Sequence, residues 1–478
     1  MRLPHRLLPT ALAVLLAGCT TVGPDYRVPA TALINTPAAQ GEFAAGRGAS
    51  RDDAIADRWW QLYQDPRLDA LIGEALAANT DLRVAAANLA RSAAVAAEAD
   101  SAQELKAGVS AAAERARLAG ETYLLKSTIP VENLGDAGIR MSYQIDLVGG
   151  LKRAAEAAAA DVEASRAGLD VARISVAAEV ALAYDEVCGA GHELSVAKNS
   201  LALQEESRRA VARLVGGGRK MAVDLPRAAT LVEQTRASLP LFAARQRLAL
   251  YRIAVLTGHA PGDYPPDLAT CNAPPHVSST IPVGDGAALL RRRPDVRQAE
   301  RQLAGASARI GIATAAFYPT VTLGLSAGVS GMLEHLGQAP TQRWSLGPLI
   351  SWSLPGGLEK ARLRQADAGA DAALAHFDAT VLKALQETEN ALALLARDLD
   401  RDSALRQARD QAAEAARQVA RLYRAGRLPY LDDLDAQSKL AAAETALAAN
   451  DSQLAADQVR LFLALGGGWQ QAPAVGGK

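Results

Sequence analysis

Two long stretches of this chain place alanine and leucine among charged residues at helical spacing. The first runs from Leu151 to Leu214, the second from Leu358 to Ala425, and neither contains proline. Such spacing predicts amphipathic α-helices. At 1.5 Å per residue, about 64 residues make a rod of roughly 95 Å, several times the diameter of a small domain. A coiled coil or a helical tube uses such rods. Shorter helices flank them. Asp65 and Pro66 supply an N-cap and a first-turn proline, and the helix they open runs to about Glu104 with an irregularity near Asn79. Asp285 opens the matching helix in the second half, and Pro294 marks the matching irregularity.

Between helices the period drops to two. Ile139, Met141, Tyr143, Ile145 and Leu147 alternate with Arg140, Ser142, Gln144 and Asp146. The same alternation runs from Val321 to Val329 and from Trp344 to Leu354, whereas a strand near 107–118 has Val109 as its best apolar residue. Strands of about ten residues with one apolar and one polar face fit an outer-membrane barrel, and equally a half-buried soluble sheet. Four strands cannot close a barrel, because open edges in lipid leave backbone groups unpaired at several kcal/mol each. If these strands span a membrane, the chain must oligomerise. Segments 119–138 and 331–342, rich in glycine and polar residues, would be the outer loops.

The two halves are copies. Gly149-Gly150-Leu151 recurs as Gly356-Gly357-Leu358, 207 residues later. Arg213-Leu214 recurs as Arg421-Leu422, Asp224 as Asp432, and Arg252 with Gly258 as Arg460 with Gly466, all at an offset of 208. Asp81, Arg83 and Leu89 recur as Asp295, Arg297 and Leu303, 214 later. A unit of about 200 residues exceeds any solenoid repeat, which indicates gene-scale duplication. Each copy reads as helix, two strands, long helix, tight turn, helix. The expected division is a leader over 1–18, an N-terminal segment over 19–62, a first repeat over 63–260, a Pro-rich linker over 261–283, a second repeat over 284–468 and a tail over 469–478.

Composition narrows the function classes. The 478 residues carry 51 basic and 52 acidic side chains, a net charge of -1, so no basic field would drive nucleic-acid binding. Three cysteines, with no CxxC or Cys/His spacing, exclude a disulfide scaffold or zinc module. Cys188 and Cys271 are candidates for a disulfide in an oxidising compartment, and the sequence leaves their pairing open. Arg2, His5 and Arg6 precede an apolar run from Leu7 to Gly18, a signal-peptide pattern. The run ends in Leu16-Ala17-Gly18-Cys19, which resembles the bacterial lipobox and implies lipidation of Cys19 after removal of the leader. Thr20 after the cysteine fits outer-membrane sorting of such lipoproteins.

The segments CTTVGPDYRVP, DRWWQLYQDPRLDALIGEALAANTDLRVA, LLRRRPDVRQAE, AAFYPTVTLG and YLDDLDAQ stand in an order that resembles the TolC-like outer membrane efflux lipoproteins, the NodT family, over about residues 15–468. The resemblance implies a mainly α fold with a membrane β-barrel: a homotrimer whose twelve-stranded outer-membrane barrel continues as a twelve-helix periplasmic α-barrel. It also implies a periplasmic adaptor and an inner-membrane pump as partners, outer-membrane lipid around the barrel, no nucleic acid, and no cofactor beyond the lipid on Cys19. The function implied is passive export of small toxic compounds through a duct gated at its periplasmic tip; type I protein secretion is the alternative of the same class. The family's gate falls on Asp432 and Asp435, with Asp433 as a lesser contributor, and on Tyr423. A gate arginine's position is Leu428 here, with Arg427 beside it, so the latch bonds differ. The tips would turn at Gly216, Gly217 and Gly218 and at Gly426, where glycine permits positive φ.

Enzyme motifs are weak. Gly324-Leu325-Ser326-Ala327-Gly328 matches GxSxG, but Ser326 falls inside an alternating strand rather than a strand-turn-helix. Ser195 and Lys198 fit SxxK without partner motifs, and His192-Glu193 lacks the second histidine of HExxH at Val196. Arg291, Arg292 and Arg293 read as structural. A lipoprotein hydrolase or a coiled-coil scaffold would therefore be readings of another class, and the chain is expected not to be an enzyme.

Overall fold

The structure is a computed structural model that describes residues 21–45, 57–119, 124, 126–277 and 281–467. The leader, Cys19 and Thr20 lie outside the described residues. The chain order is α1 (Pro66–Ala78), α2 (Thr80–Ser101), β1 (Lys106–Ala116), β2 (Glu132–Ile145), α3 (Gly150–Gly216), α4 (Asp224–Leu256), α5 (Gly286–Arg292), α6 (Pro294–Ala315), β3 (Thr320–Met332), β4 (Gln342–Ser351), α7 (Gly357–Arg424) and α8 (Tyr430–Ala464). The irregularity at Asn79 is a break that restarts the helix: its side chain accepts from the N–H groups of Asp81 and Leu82 at 2.9 and 3.2 Å. Pro294 does the same for α5 and α6, standing first in α6 where no N–H is needed. α3 and α7 have 67 and 68 residues. Each is therefore about 100 Å long.

The chain divides into two compact units. The first comprises Met1–Pro29, Leu89–Ser165 and Ala299–Phe377. It is built on one antiparallel sheet of order β1-β2-β3-β4, with β1 and β4 at its edges. The register aligns apolar residues across all four strands. Val109 pairs with Ile139, Ile139 with Ala327 and Ala327 with Trp344; one step along, Ala107, Met141, Leu325 and Leu346 form the next row. This face is open: Val109 is 85%, Trp344 79% and Leu346 64% exposed. The opposite face carries Arg140, Ser326 and Ser345 in one row, with the two serine hydroxyls 2.8 Å apart. In the first turn of α3, Arg153 holds the N-terminal segment, donating to the Val22 carbonyl at 2.9 Å and the Asp25 carboxylate at 2.8 Å.

One expectation is corrected here. The outer loop expected over 119–138 gives way to strand at Glu132. Gly135, Asp136 and Gly138 read as loop by composition. They are strand because both neighbours supply partners, β1 along the whole of Glu132–Gly138 and β3 from Leu134 onward: Gly138 faces Gly328 so closely that a Cβ at residue 328 would stand 2.3 Å from the Ala137 carbonyl oxygen. The Asp136 carboxylate is also bound by Arg343 of β4 at 2.8 Å.

The second unit comprises Ala30–Asn88, Arg166–Gln298 and Asp378–Lys478. Trp59 is fully buried and stacks on Phe462 at 4.8 Å, and Leu68, Ile72 and Ile253 of the same unit are also fully buried. The candidate disulfide forms, joining Cys188 of α3 to Cys271 of the Pro-rich linker. The linker reaches α3 where Gly191 leaves room; a Cβ there would lie 2.0 Å from the Cys271 carbonyl oxygen. The arginine run is structural at two of its three positions. Arg293 donates to the Ala464 carbonyl at 2.8 Å and to Asp295 and Glu387 at 2.7 Å, and Arg292 donates to the Leu465 carbonyl at 2.7 Å. Two guanidinium groups thus meet the carbonyl-rich end of α8, where the helix dipole favours positive charge. Arg291 is exposed.

Candidate functional site

The two helix-to-helix turns lie in the second unit and share one backbone plan. At the end of α3 the Arg219 N–H donates to the Leu214 carbonyl at 2.8 Å and the Gly218 N–H to the Val215 carbonyl at 3.0 Å. At the end of α7 the Arg427 N–H donates to the Leu422 carbonyl and the Gly426 N–H to the Tyr423 carbonyl, both at 2.9 Å. Both are Schellman closures, which need a left-handed residue at their fifth position. Gly218 and Gly426 fill it with φ of +69° and +72°. Gly216 and Gly217, also expected to supply positive φ, do not. Gly216 is the last residue of α3, and Gly217 still donates helically to the Arg213 carbonyl at 3.1 Å.

Side chains of both turns meet in one cluster. Val211 of α3, Ala228 of α4 and Tyr430 of α8 are buried together, with Val215, Tyr423 and Leu434 packed against them. The Tyr423 and Tyr430 rings lie 5.7 Å apart, tilted by 55°. Lys220, in the first turn, places its Nζ 4.7 Å from the Tyr423 centroid and 5.4 Å from that of Tyr430. The Tyr430 hydroxyl is 3.3 Å from Ser207 Oγ. Burial raises both tyrosines above their ordinary pKa, so both are neutral phenols.

The three aspartates at the start of α8 part company. Asp432 is exposed, and so is Asp435, which forms an ion pair with Lys439 at 2.7 Å. Asp433, expected as a lesser gate residue, is only 4% exposed and turns into the cluster instead. A helix advances about 100° per residue, so neighbours cannot share a face. Gln437 donates to Asp433 Oδ2 at 2.8 Å, while Oδ1 is buried without a hydrogen-bond partner. Burial pushes this carboxyl above the usual carboxylate range, and the Gln437 amide and the charges of Arg424 and Lys220 oppose the shift. Tyr423 has a buried hydroxyl without a partner. Leu428 is half-buried and Arg427 exposed. Sequence reasoning missed Lys220, Tyr430 and Ser207. The duplication held a signal for the first, since Lys220 precedes Leu428 by the repeat offset of 208.

The enzyme motifs lack the geometry they require. Ser326 sits in mid-strand with its hydroxyl against Ser345, and Glu193 is buried in an ion pair with Arg245 at 2.8 Å. Among the described residues, no group of His, Cys, Asp and Glu side chains is arranged to hold a metal ion.

The sequence profile described as "Outer membrane efflux protein" matches residues 71–259 and 287–467, most of the chain and both copies of the duplicated unit. The chain belongs to this family. Among relatives of this outer membrane efflux protein, Nodulation protein T of Rhizobium leguminosarum bv. viciae is 29% identical over 471 residues, covering 98% of this chain and 95% of that protein. The "Probable outer membrane lipoprotein SilC" of Salmonella typhimurium is 30% identical over 487 residues, covering 97% of this chain and 99% of SilC. The solved outer-membrane channel OprN superposes with a TM-score of 0.87 at 34% identity, covering 94% of this chain and all of OprN. The fold is accordingly that of TolC-like outer-membrane channels.

Proposed function

We propose that this protein is the outer-membrane exit duct of a tripartite efflux pump, lipid-anchored at Cys19 and working as a homotrimer. The observation that carries the reading is the sheet of the first unit. Its apolar rows run unbroken across four strands and lie open, and among the described residues its two edge strands, β1 and β4, have no partner on their outer sides. No described helix is long and apolar enough to cross a membrane. Exposed apolar residues on one face and polar ones on the other fit lipid outside and water inside, and Trp344 and Trp352 fit the aromatic girdles of such walls. Three copies of a four-stranded sheet supply twelve strands, which removes the edges that hydrocarbon does not tolerate. The helices would continue the wall into the periplasm as a twelve-helix tube. There the turns would meet an adaptor, and an inner-membrane pump would supply the energy.

The exposed Asp432 and Asp435 would line the constriction at the tip. A ring of carboxylates attracts cations and repels anions, so a narrow pore here is cation-selective. The purified lipidated protein, reconstituted in planar bilayers, is expected to conduct and to migrate as a heat-modifiable oligomer. Asp435→Ala should lower its cation-over-anion preference, measured as the reversal potential in a salt gradient. A freely soluble monomer without conductance would overturn the reading, and an unchanged reversal potential would remove Asp435 from the constriction.

A further inference from the structure

We propose that Lys220 is the brace that holds the duct's tip shut from within each chain: a cation on the first turn, gripped between two tyrosines of the second hairpin. The inference rests on the gated-duct reading and adds to it the contact that must part before the hairpins separate. Lys220 belongs to the segment between α3 and α4, whereas Tyr423 closes α7 and Tyr430 opens α8. Its ammonium lies within 5.4 Å of both ring centroids, inside the range where the negative face of an aromatic ring attracts a cation. Two rings from the two sides of one turn therefore converge on a charge supplied by the other turn.

Three further features fit this task. The grip uses ring faces, which explains why the Tyr423 hydroxyl is buried without a partner and idle. Asp433, buried nearby with its Oδ1 unpaired, is acidic and feels the lysine charge, which opposes the rise that burial gives its carboxyl. The arrangement is also one-sided. In the repeat register Lys220 stands opposite Leu428, Val215 opposite Tyr423 and Ala222 opposite Tyr430, so only one turn gives the cation and only the other the rings. Moving the first hairpin outward breaks both ring contacts, and the cost of losing them favours the closed tip.

The test is the resting conductance of the full-length lipidated protein in planar bilayers. Lys220→Met, which keeps length and apolar bulk but removes charge, is expected to raise resting conductance several-fold, and Lys220→Arg to leave it near wild type. Tyr423→Phe, which keeps the ring, should behave as wild type, and Tyr423→Leu should match Lys220→Met. Combining Lys220→Met with Tyr423→Leu should add little. A wild-type protein that conducts, with Lys220→Met indistinguishable from it, overturns the brace and leaves the duct standing. A wild-type protein that does not conduct overturns the duct and the brace with it. Should Lys220→Met fail to assemble, the Tyr423→Phe and Tyr423→Leu pair reads the same contact from the other side, and equal conductance in those two overturns the proposal.

Discussion

The two turns of the second unit are one backbone built twice and two surfaces built once. Each ends its long helix with the same pair of hydrogen bonds around a left-handed glycine, Gly218 in one and Gly426 in the other. The next helices end alike as well, at Gly258 and Gly466, again left-handed. The side chains diverge: Lys220 against Leu428, Leu225 against Asp433, and a buried Asp224 against an exposed Asp432. The closure survives duplication because it asks for little, one glycine and helical carbonyls, whatever the neighbours. Side chains answer to what they face. The copies meet each other rather than their own likenesses, and each is free to specialise.

The largest difference between the copies lies along the long helices. Cys188 of α3 is stapled to the linker at Cys271, whereas its repeat counterpart on α7, at the same offset of 208, is Ala396. The bridge closes a loop with a sequence separation of 83. By loop-closure entropy, removing a bridge over a loop of that length costs up to about 4–5 kcal/mol. Cys188→Ser with Cys271→Ser should therefore lower the thermal midpoint of the detergent-solubilised protein, and limited proteolysis should cut the linker first while α7 stays intact. If the midpoint does not move, the linker is held instead by Gln458, whose side chain bonds both the N–H and carbonyl of Val277 at 2.8 and 2.9 Å.

The next effect tests what the copies share. A β-branched residue in a left-handed conformation costs about 1–2 kcal/mol. Gly218→Val and Gly426→Val should each loosen their own hairpin by that amount, read as faster amide exchange in the last turn of α3 or α7. Gly217→Val, whose backbone is not left-handed, should cost less than either. Equal losses at Gly217 and Gly218 would mean that the closure is not what fixes the turn.

Much of this architecture was legible because its signals are long. Rods of 67 and 68 residues leave a helical period that local accident cannot mimic, and the offset of 208 carried from Arg213-Leu214 through Gly258. Strand β2 was legible only in its second half. From Glu132 to Gly138 its composition is that of a loop, and its strand character comes from pairing with β1 and with β3, the latter about 200 residues away in sequence. The disulfide was open for a similar reason, since Cα atoms 4.7 Å apart are a tertiary fact. At the candidate gate the family resemblance proposed Tyr423, Asp432 and Asp435, whose gate roles the Asp435→Ala and Tyr423 variants test. For Lys220 the repeat offset to Leu428 marked the position, but its role was out of sight, because a cation held over aromatic rings leaves no spacing pattern in the sequence. Helix phase did separate Asp433 from Asp432 in advance, because phase is local.

The smallest effect isolates Asp433, which stands where the first copy has Leu225. Burial raises its carboxyl above the unfolded carboxylate value. A carboxyl raised on folding stabilises the folded form fully below its unfolded pKa of about 4, and that contribution fades as pH climbs through the higher folded value. The start of α8 should therefore lose amide-exchange protection as pH rises from 4 towards neutrality, once intrinsic exchange is corrected for. The start of α4, with leucine in that place, should show no such loss from this source. Asp433→Asn should flatten the pH dependence of α8 without touching α4, because the amide keeps the shape and cannot ionise. If both hairpins loosened together with pH in wild type and variant alike, the slope would belong to the assembly as a whole. The divergence of the two copies at this position would then have no electrostatic consequence.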